Sequence, residues 1–361
     1  MTHPLRVPGR FALGVFSANA DGGLAITTVP ERWGATWAGN AQAARLADEG
    51  GLDFLLPIAR WQGFGGKTRS REHAFETFTW ASALAAITRR VAGFATVHVP
   101  LVHPMFAAKA LATLDHVADG RAGLNIVAGW QPGEFAMFGT ALDARGYDRA
   151  REWLTIIERA YAEDAPFDFH GEYYDLRGVV SRPASLQRPR PLLMNAAFGG
   201  PGRDFAAQRC DALFTTFTEI ADAAGHVADM RARASAAGRD VRVYAVCHVV
   251  CRPSRAEAED YYQRYAVDLA DHAAVDRHMA GKQAHAASHD PAVFTRHRKR
   301  FAGGAGSYPL VGTPAHIAGE LEAIAAQGIA GAALSFVNYA DELPYFIGKV
   351  PPRLARAGLR P

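Results

Sequence analysis

The sequence predicts an α/β fold, a (β/α)8 TIM barrel with insertions. Three observations carry that prediction. Apolar strand-like runs alternate with longer amphipathic helical patterns from end to end, the strand-like runs number eight, and 361 residues suit a single barrel domain spanning residues 1–361. Alternation of this kind is the mark of parallel strands joined by crossover helices, and eight such pairs favour closure into a ring.

Taken in order, strands are expected at Phe11–Phe16, Leu52–Ile58, Val91–Val97 and Ala122–Ala128, then at Leu192–Ala196, Ala212–Thr216, Val241–Val250 and Gly331–Phe336. Helices are expected at Ala38–Glu49, Phe106–Val117, Arg149–Ala162, Asp204–Arg209, Ile220–Ala237, Arg255–Ala270 and Ala315–Ala326, where apolar residues recur at spacings of three and four. The last of these has a legible start. Thr313 is a cap residue, and Pro314 follows where a missing N–H costs nothing.

Two stretches interrupt the repeat, near residues 163–190 and 271–308. The first contains FDFHGEYYDL, which alternates like a short hairpin, and then a Pro- and Arg-rich extended connection. The second is rich in His, Ala and Gly with little periodicity, and is expected to be a mobile loop or irregular cover. Barrel active sites sit on the loops after the C-terminal ends of the strands, so either insertion is a candidate lid.

The bulk numbers narrow the function classes. A hydrophobic share of 49% is enough for a substantial core. A net charge of +3 without a polybasic run gives little attraction to nucleic acid or an anionic membrane, so a small-molecule partner is expected. Three cysteines, Cys210, Cys247 and Cys251, make no disulfide framework, and no run of about 18 apolar residues or secretory leader is visible. Cytoplasmic residence is expected.

Residues just after each strand of a parallel barrel converge on one mouth. That shortlist holds Ser17, Asn19, Trp61, Phe64, Thr96, His98, Asn125, Trp130, Ala197–Gly202, Thr215, His248 and Asn338. It is aromatic and mostly neutral, and it suits a broad planar ligand better than a glycosidase or metallohydrolase site. His98 and His103, with Glu134 or His248, match no strong ligand motif, so no metal is expected. The glycine-rich AAFGGPGRDF after the fifth strand is either a phosphate cradle or a plain tight turn, and RGYDRARE, with Tyr147, Arg149 and Arg151, is either a phosphate contact or a solvated helix start.

A family resemblance rests on GFGGKT at Gly63–Thr68, FAT at Phe94–Thr96, LATLDHVADGR at Leu111–Arg121, LNIVAGW at Leu124–Trp130, GYDRAREW, the FHGEYYDL hairpin, AAFGGPGRDFAAQRCDALF and VGTPAHIAGEL. These segments resemble the bacterial-luciferase-like FMN-dependent monooxygenases, in the branch that holds the pyrimidine and dimethyl sulfone monooxygenases. The resemblance spans most of residues 11–338.

It implies a monooxygenase using reduced FMN from a separate NAD(P)H:flavin reductase, with O2 as co-substrate, in a homo-oligomer, dimer or tetramer. Asn125 and Thr96 match the residues that flank flavin and oxygen, which implies a flavin-N5-peroxide route in preference to a C4a-peroxide one. Tyr147 and the loop of Ala197, Phe198, Gly199, Gly200 and Arg203 match the phosphate site, with Gly199 where relatives generally carry serine. Phe16, Asn19, Trp61, Phe64, His98, Trp130 and Asn338 are the expected substrate pocket, and His98 is expected beside Thr96 and Asn125 among the catalytic residues. Trp61 and His98 depart from the pyrimidine enzyme and point to an aromatic, heteroaromatic, halogenated or sulfone-type substrate. Rival readings are an enzyme degrading a flavin or another heterocycle, a deazaflavin-dependent reductase, and a non-catalytic flavin-binding protein.

Overall fold

Runs such as AGFATVH and RVYAVCHVVC form strands because a parallel barrel strand is covered on both faces, by the barrel interior and by the helical layer. The computed structural model describes residues 3–143, 145–283 and 298–360. Its strands are β1 Ala12–Phe16, β2 Phe54–Leu56, β3 Ala92–His98, β4 Ala122–Val127, β5 Phe167–His170, β6 Asp175–Val179, β7 Leu192–Asn195, β8 Ala212–Thr215, β9 Arg242–Cys251, β10 Tyr308–Gly312 and β11 Gly331–Ser335. Parallel pairing runs β1, β2, β3, β4, β7, β8, β9, β11 and back to β1, which closes an eight-stranded barrel. All eight predicted barrel strands are present.

Helices α1 Trp37–Glu49, α2 Thr77–Ala85, α3 Pro104–Val117, α4 Pro132–Met137, α5 Gly146–Ala162, α6 Gly200–Arg209 and α7 Asp222–Ala236 follow in chain order. After them come α8 Arg255–Gln263, α9 His272–Gln283, α10 Arg298–Gly304, α11 Pro314–Ala326, α12 Tyr339–Lys349 and α13 Pro351–Arg356. Five differences from the expected elements have identifiable causes. β2 is short because Pro57 ends its ladder. α2 has no Ser, Thr, Asp or Asn at its N-cap; the Glu76 carboxylate caps it instead, accepting from Phe78 N at 2.8 Å and Thr79 N at 2.7 Å. α6 begins at Gly200, its first turn hidden by glycine and proline. α8 ends early, passing into a π-helical turn at Arg264–Asp268. β10 contains Pro309, tolerated because this strand pairs only with β9, outside the ring.

The first insertion is the expected hairpin, β5 against antiparallel β6. The second is not an irregular cover throughout: its described parts are α9, α10 and the start of β10, while residues 284–297 of the expected lid lie outside the described residues.

One end of the barrel is plugged. Phe54 meets Phe94 and Tyr244 edge to face, each at 6.1 Å, and Gly14 and Gly123 leave room for the Phe54 and Phe94 rings, which a Cβ would strike. Beneath them the buried Asp53 carboxylate accepts from Leu13 N at 2.8 Å and pairs with Arg360 and Arg10, both at 2.5 Å. The C-terminal ends of the strands are left as the open mouth.

Candidate active site

A cavity of about 550 Å³ occupies that mouth. Its floor is set by register. Thr96 on β3 lies directly across from Asn125 on β4, and both are buried in the cavity wall. Thr96 Oγ1 donates to Pro57 O at 2.6 Å and accepts from Asn125 Nδ2 at 3.3 Å. The Thr96 proton is therefore engaged by the Pro57 carbonyl. Among the described residues the buried Asn125 Oδ1 has no hydrogen-bond partner, and a buried acceptor left open in a cavity wall is an invitation to a donor.

His98, the last residue of β3, also lines the cavity. Burial and then the Arg60 charge lower its pKa to about 3, so the ring is neutral. Its Nδ1 is 3.5 Å from Glu134 Oε2. Glu134 is fully buried and accepts from Arg60 Nη1 at 3.0 Å, Trp61 N at 2.7 Å and Gln62 N at 3.2 Å, tying α4 to the loop after β2. His103 instead caps α3 and meets Tyr174 edge to face, so it does not join His98. Among the described residues no three metal-ligating side chains converge.

At the other end of the cavity Tyr147 and the loop after β7 come together. Ala197, Phe198, Gly199, Pro201 and Gly202 line the wall, Gly199 is the N-cap of α6, and Gly200 is its first residue. Burial raises the Tyr147 phenol to about 12 and keeps it protonated as a donor; it lies beside Asn195. A Cβ on Gly202 would fall 2.6 Å from the Tyr147 oxygen and 2.5 Å from Ala197 Cβ, so the approach of helix to phenol needs glycine. Arg203 does not face this end. Its guanidinium is held by Asp229 at 2.6 Å and His226 at 2.6 Å, on α7.

The expected substrate residues divide. Phe16 lines the cavity and meets Phe214 edge to face at 5.0 Å, and Trp130 lines it as well. Phe64 stands behind, stacked on His278 at 3.8 Å and on Trp130 at 6.0 Å. Trp61 turns outward, 42% exposed against Phe138. Asn19 is a structural clasp, donating to Ile58 O and Phe75 O and accepting from Ile58 N. Asn338 caps α12 through Ala340 N and Asp341 N. The last three do not line the cavity because their polar groups or rings are engaged elsewhere.

Sequence reasoning missed Arg60, Arg71 and His278, all in the cavity wall. Arg60 follows β2 by four residues and was within reach of the strand-end rule, while Arg71 and His278 sit deep in long connections where spacing carries no signal. Arg71 is 4% exposed with φ +55°, donating from Nε to Gly23 O at 2.9 Å and from Nη2 to Leu24 O at 3.0 Å.

With this geometry in hand, likeness to known proteins becomes informative. The family model for luciferase-like monooxygenases matches residues 10–331. The chain is 30% identical over 362 residues to a pyrimidine monooxygenase from Caulobacter sp. (strain K31), covering 96% of this chain and 99% of that one. It is 29% identical over 363 residues to an FMNH2-dependent dimethylsulfone monooxygenase from Pseudomonas putida, covering 96% and 95%. Among solved structures, a riboflavin lyase superposes with a TM-score of 0.87 at 22% identity, covering 98% of this chain and 93% of that one. A long-chain alkane monooxygenase does so with a TM-score of 0.85 at 21% identity, covering 98% and 92%. Barrel, cavity and family match agree: this chain belongs to the luciferase-like monooxygenase family.

Proposed function

We propose that this protein is the oxygenating component of a two-component flavin-dependent monooxygenase, taking reduced FMN from a separate flavin reductase and using dioxygen to oxidise a small organic substrate. The observation that carries the reading is the pairing, within one cavity, of an open buried amide acceptor, Asn125 Oδ1, with a glycine-cradled helix start beside a protonated phenol. Reduced flavin presents N–H donors on its ring and a phosphate on its tail, so both ends of the cavity fit FMN.

Tyr147 and the backbone N–H groups at the start of α6 would hold the phosphate, with the helix dipole favouring its charge. Asn125 would accept from the ring, and its own Nδ2 is held by Thr96, which in turn is fixed by Pro57. That chain of bonds sets the amide orientation before the ligand arrives, which is how preorganised polar groups avoid reorganisation during reaction. When bound, reduced FMN supplies the electrons that activate dioxygen. His98, neutral and buried, offers a ring nitrogen in the wall without adding charge, and Phe16, Phe214 and Trp130 exclude water and favour an aromatic, heteroaromatic, halogenated or sulfone-type substrate.

The test is an anaerobic titration with reduced FMN, oxidised FMN and a deazaflavin, followed by an oxygen pulse. Preference for reduced FMN and a transient flavin–oxygen absorbance are expected; preference for the deazaflavin, or no flavin binding, would overturn the reading.

A further inference from the structure

Burying an ionised side chain is costly unless a counter-charge accompanies it. Two guanidinium groups stand in the cavity wall on the same aromatic ring, Arg60 at 5.2 Å and Arg71 at 5.7 Å from the Phe64 centroid. Arg60 is compensated, by Glu134 at 3.0 Å and by Gln131. Arg71 is different. Among the described residues no carboxylate pairs with it, and its hydrogen bonds go only to the carbonyls of Gly23 and Leu24. Burial and then the nearby Arg60 charge lower its pKa to about 9, which still leaves it a cation at neutral pH.

Which N–H groups remain follows from the shape of the group. A guanidinium has five N–H donors in a planar fork. Nε and the Nη2 proton on the same edge are spent on Gly23 O and Leu24 O, which locks the plane. Both Nη1 protons and the second Nη2 proton remain, and one Nη1 proton with that Nη2 proton forms the end-on fork that receives two oxygens of a carboxylate or a sulfonate. Phe16, Leu24, Phe214 and Trp130 line the same cavity and provide an apolar bed for the rest of such a molecule.

We infer that Arg71 is a specificity-determining residue, and that the substrate is a small organic anion whose carboxylate, sulfonate or similar oxyanion is received by the free fork of Arg71 while its apolar body lies against Phe16, Phe214 and Trp130. The inference rests on the flavin reading above and goes beyond it by fixing the charge of the substrate. Arg71 positions the anion; it takes no part in bond making.

The experiment uses the protein loaded with reduced FMN under anaerobic conditions, after the flavin affinity of each preparation has been measured separately. Matched probes are titrated calorimetrically: benzoate against benzamide, and butyrate against butyramide. The wild-type protein is expected to bind at least one carboxylate about 10-fold or more tightly than its amide, the size of a charge-assisted bidentate contact. Arg71→Met should abolish that preference while amide and FMN affinities stay within about 3-fold, and Arg71→Lys should restore part of it. Equal binding of acid and amide by the wild type, or no binding of either pair, overturns the inference without any variant. Loss of FMN affinity in Arg71→Met would overturn it too, since the fork would then serve the flavin. Failure of reduced FMN to bind the wild type at all would instead sink the flavin reading.

Discussion

Asn125 donates through Nδ2 to Thr96 Oγ1 at 3.3 Å, across the register pair that joins β3 to β4. Because the Thr96 proton goes to Pro57 O, the hydroxyl can only accept from Asn125, and the amide is held with Oδ1 unpartnered. Asn125→Ala should therefore cut oxygenation by about 100-fold, the usual cost of one preorganised polar contact at a reacting centre, while the circular dichroism spectrum is unchanged. Full turnover in this variant would remove Asn125 from the oxygen site. Thr96→Val frees the amide to rotate and should give a smaller loss.

The two halves of the proposed phosphate site are separable. Tyr147→Phe removes one hydroxyl and should weaken FMN binding about 5-fold, near 1 kcal/mol. Gly202→Ala places a methyl against Tyr147 and Ala197 and should weaken it more, because overpacking a fixed wall costs roughly 1–3 kcal/mol. Fluorescence titration with FMN decides both. If the tyrosine variant binds as the wild type does, its hydroxyl is not a phosphate ligand.

Glu134, which has no exposure to water, joins α4 to the loop after β2 by three hydrogen bonds, one of them its ion pair with Arg60. Glu134→Gln leaves the buried Arg60 uncompensated and should cost roughly 3 kcal/mol of stability. Denaturant midpoints report this, and an unchanged midpoint would mean that the loop relaxes enough to hydrate Arg60.

Acid sensitivity follows from three buried histidines. Burial is the first cause of the shift in His3, His98 and His248, and each is lowered to about 3. Between pH 6.5 and pH 3 the unfolded chain therefore binds protons that the folded chain refuses, so this contribution is whole above pH 6.5 and is lost as pH falls. Each histidine adds up to about 1.4 kcal/mol per pH unit to the slope. Urea midpoints at pH 7, 5.5 and 4.5 should fall steeply; a flat series would show that these rings are hydrated.

The barrel was legible because the ring strands are apolar runs, all but β9 of seven residues or fewer, and the period of the flanking helices differs from theirs. What escaped had a local disguise: Glu76 in the role of a cap, Pro309 inside a strand, glycine and proline in the first turn of α6. Within the site, Thr96, Asn125, His98, Tyr147, Phe16 and Trp130 were within reach because strand ends and motif order place them, and all six line the cavity. Asn19 and Asn338 obey the same positional rule, yet their amides are consumed by backbone groups, which no spacing reveals. Arg203 is engaged by Asp229 and His226 of the next helix, a pairing that no spacing in the sequence reveals.

β10 pairs with β9 over five positions, from Tyr308 opposite Cys247 to Gly312 opposite Cys251. The chain thus departs from the end of β9 and, more than fifty residues later, returns to lie beside the same strand. Both ends of the intervening stretch are moored to one rail, and that stretch brings His278, Gly304, Ala305 and Ser307 into the cavity wall. No ring pairing uses a residue of that stretch, and its further ties to the barrel include side-chain bonds of Asp271 with Thr68 and of Arg300 with Thr218. Replacing that one cassette is therefore expected to alter what the cavity accepts, a route open to natural recombination and to the protein engineer alike.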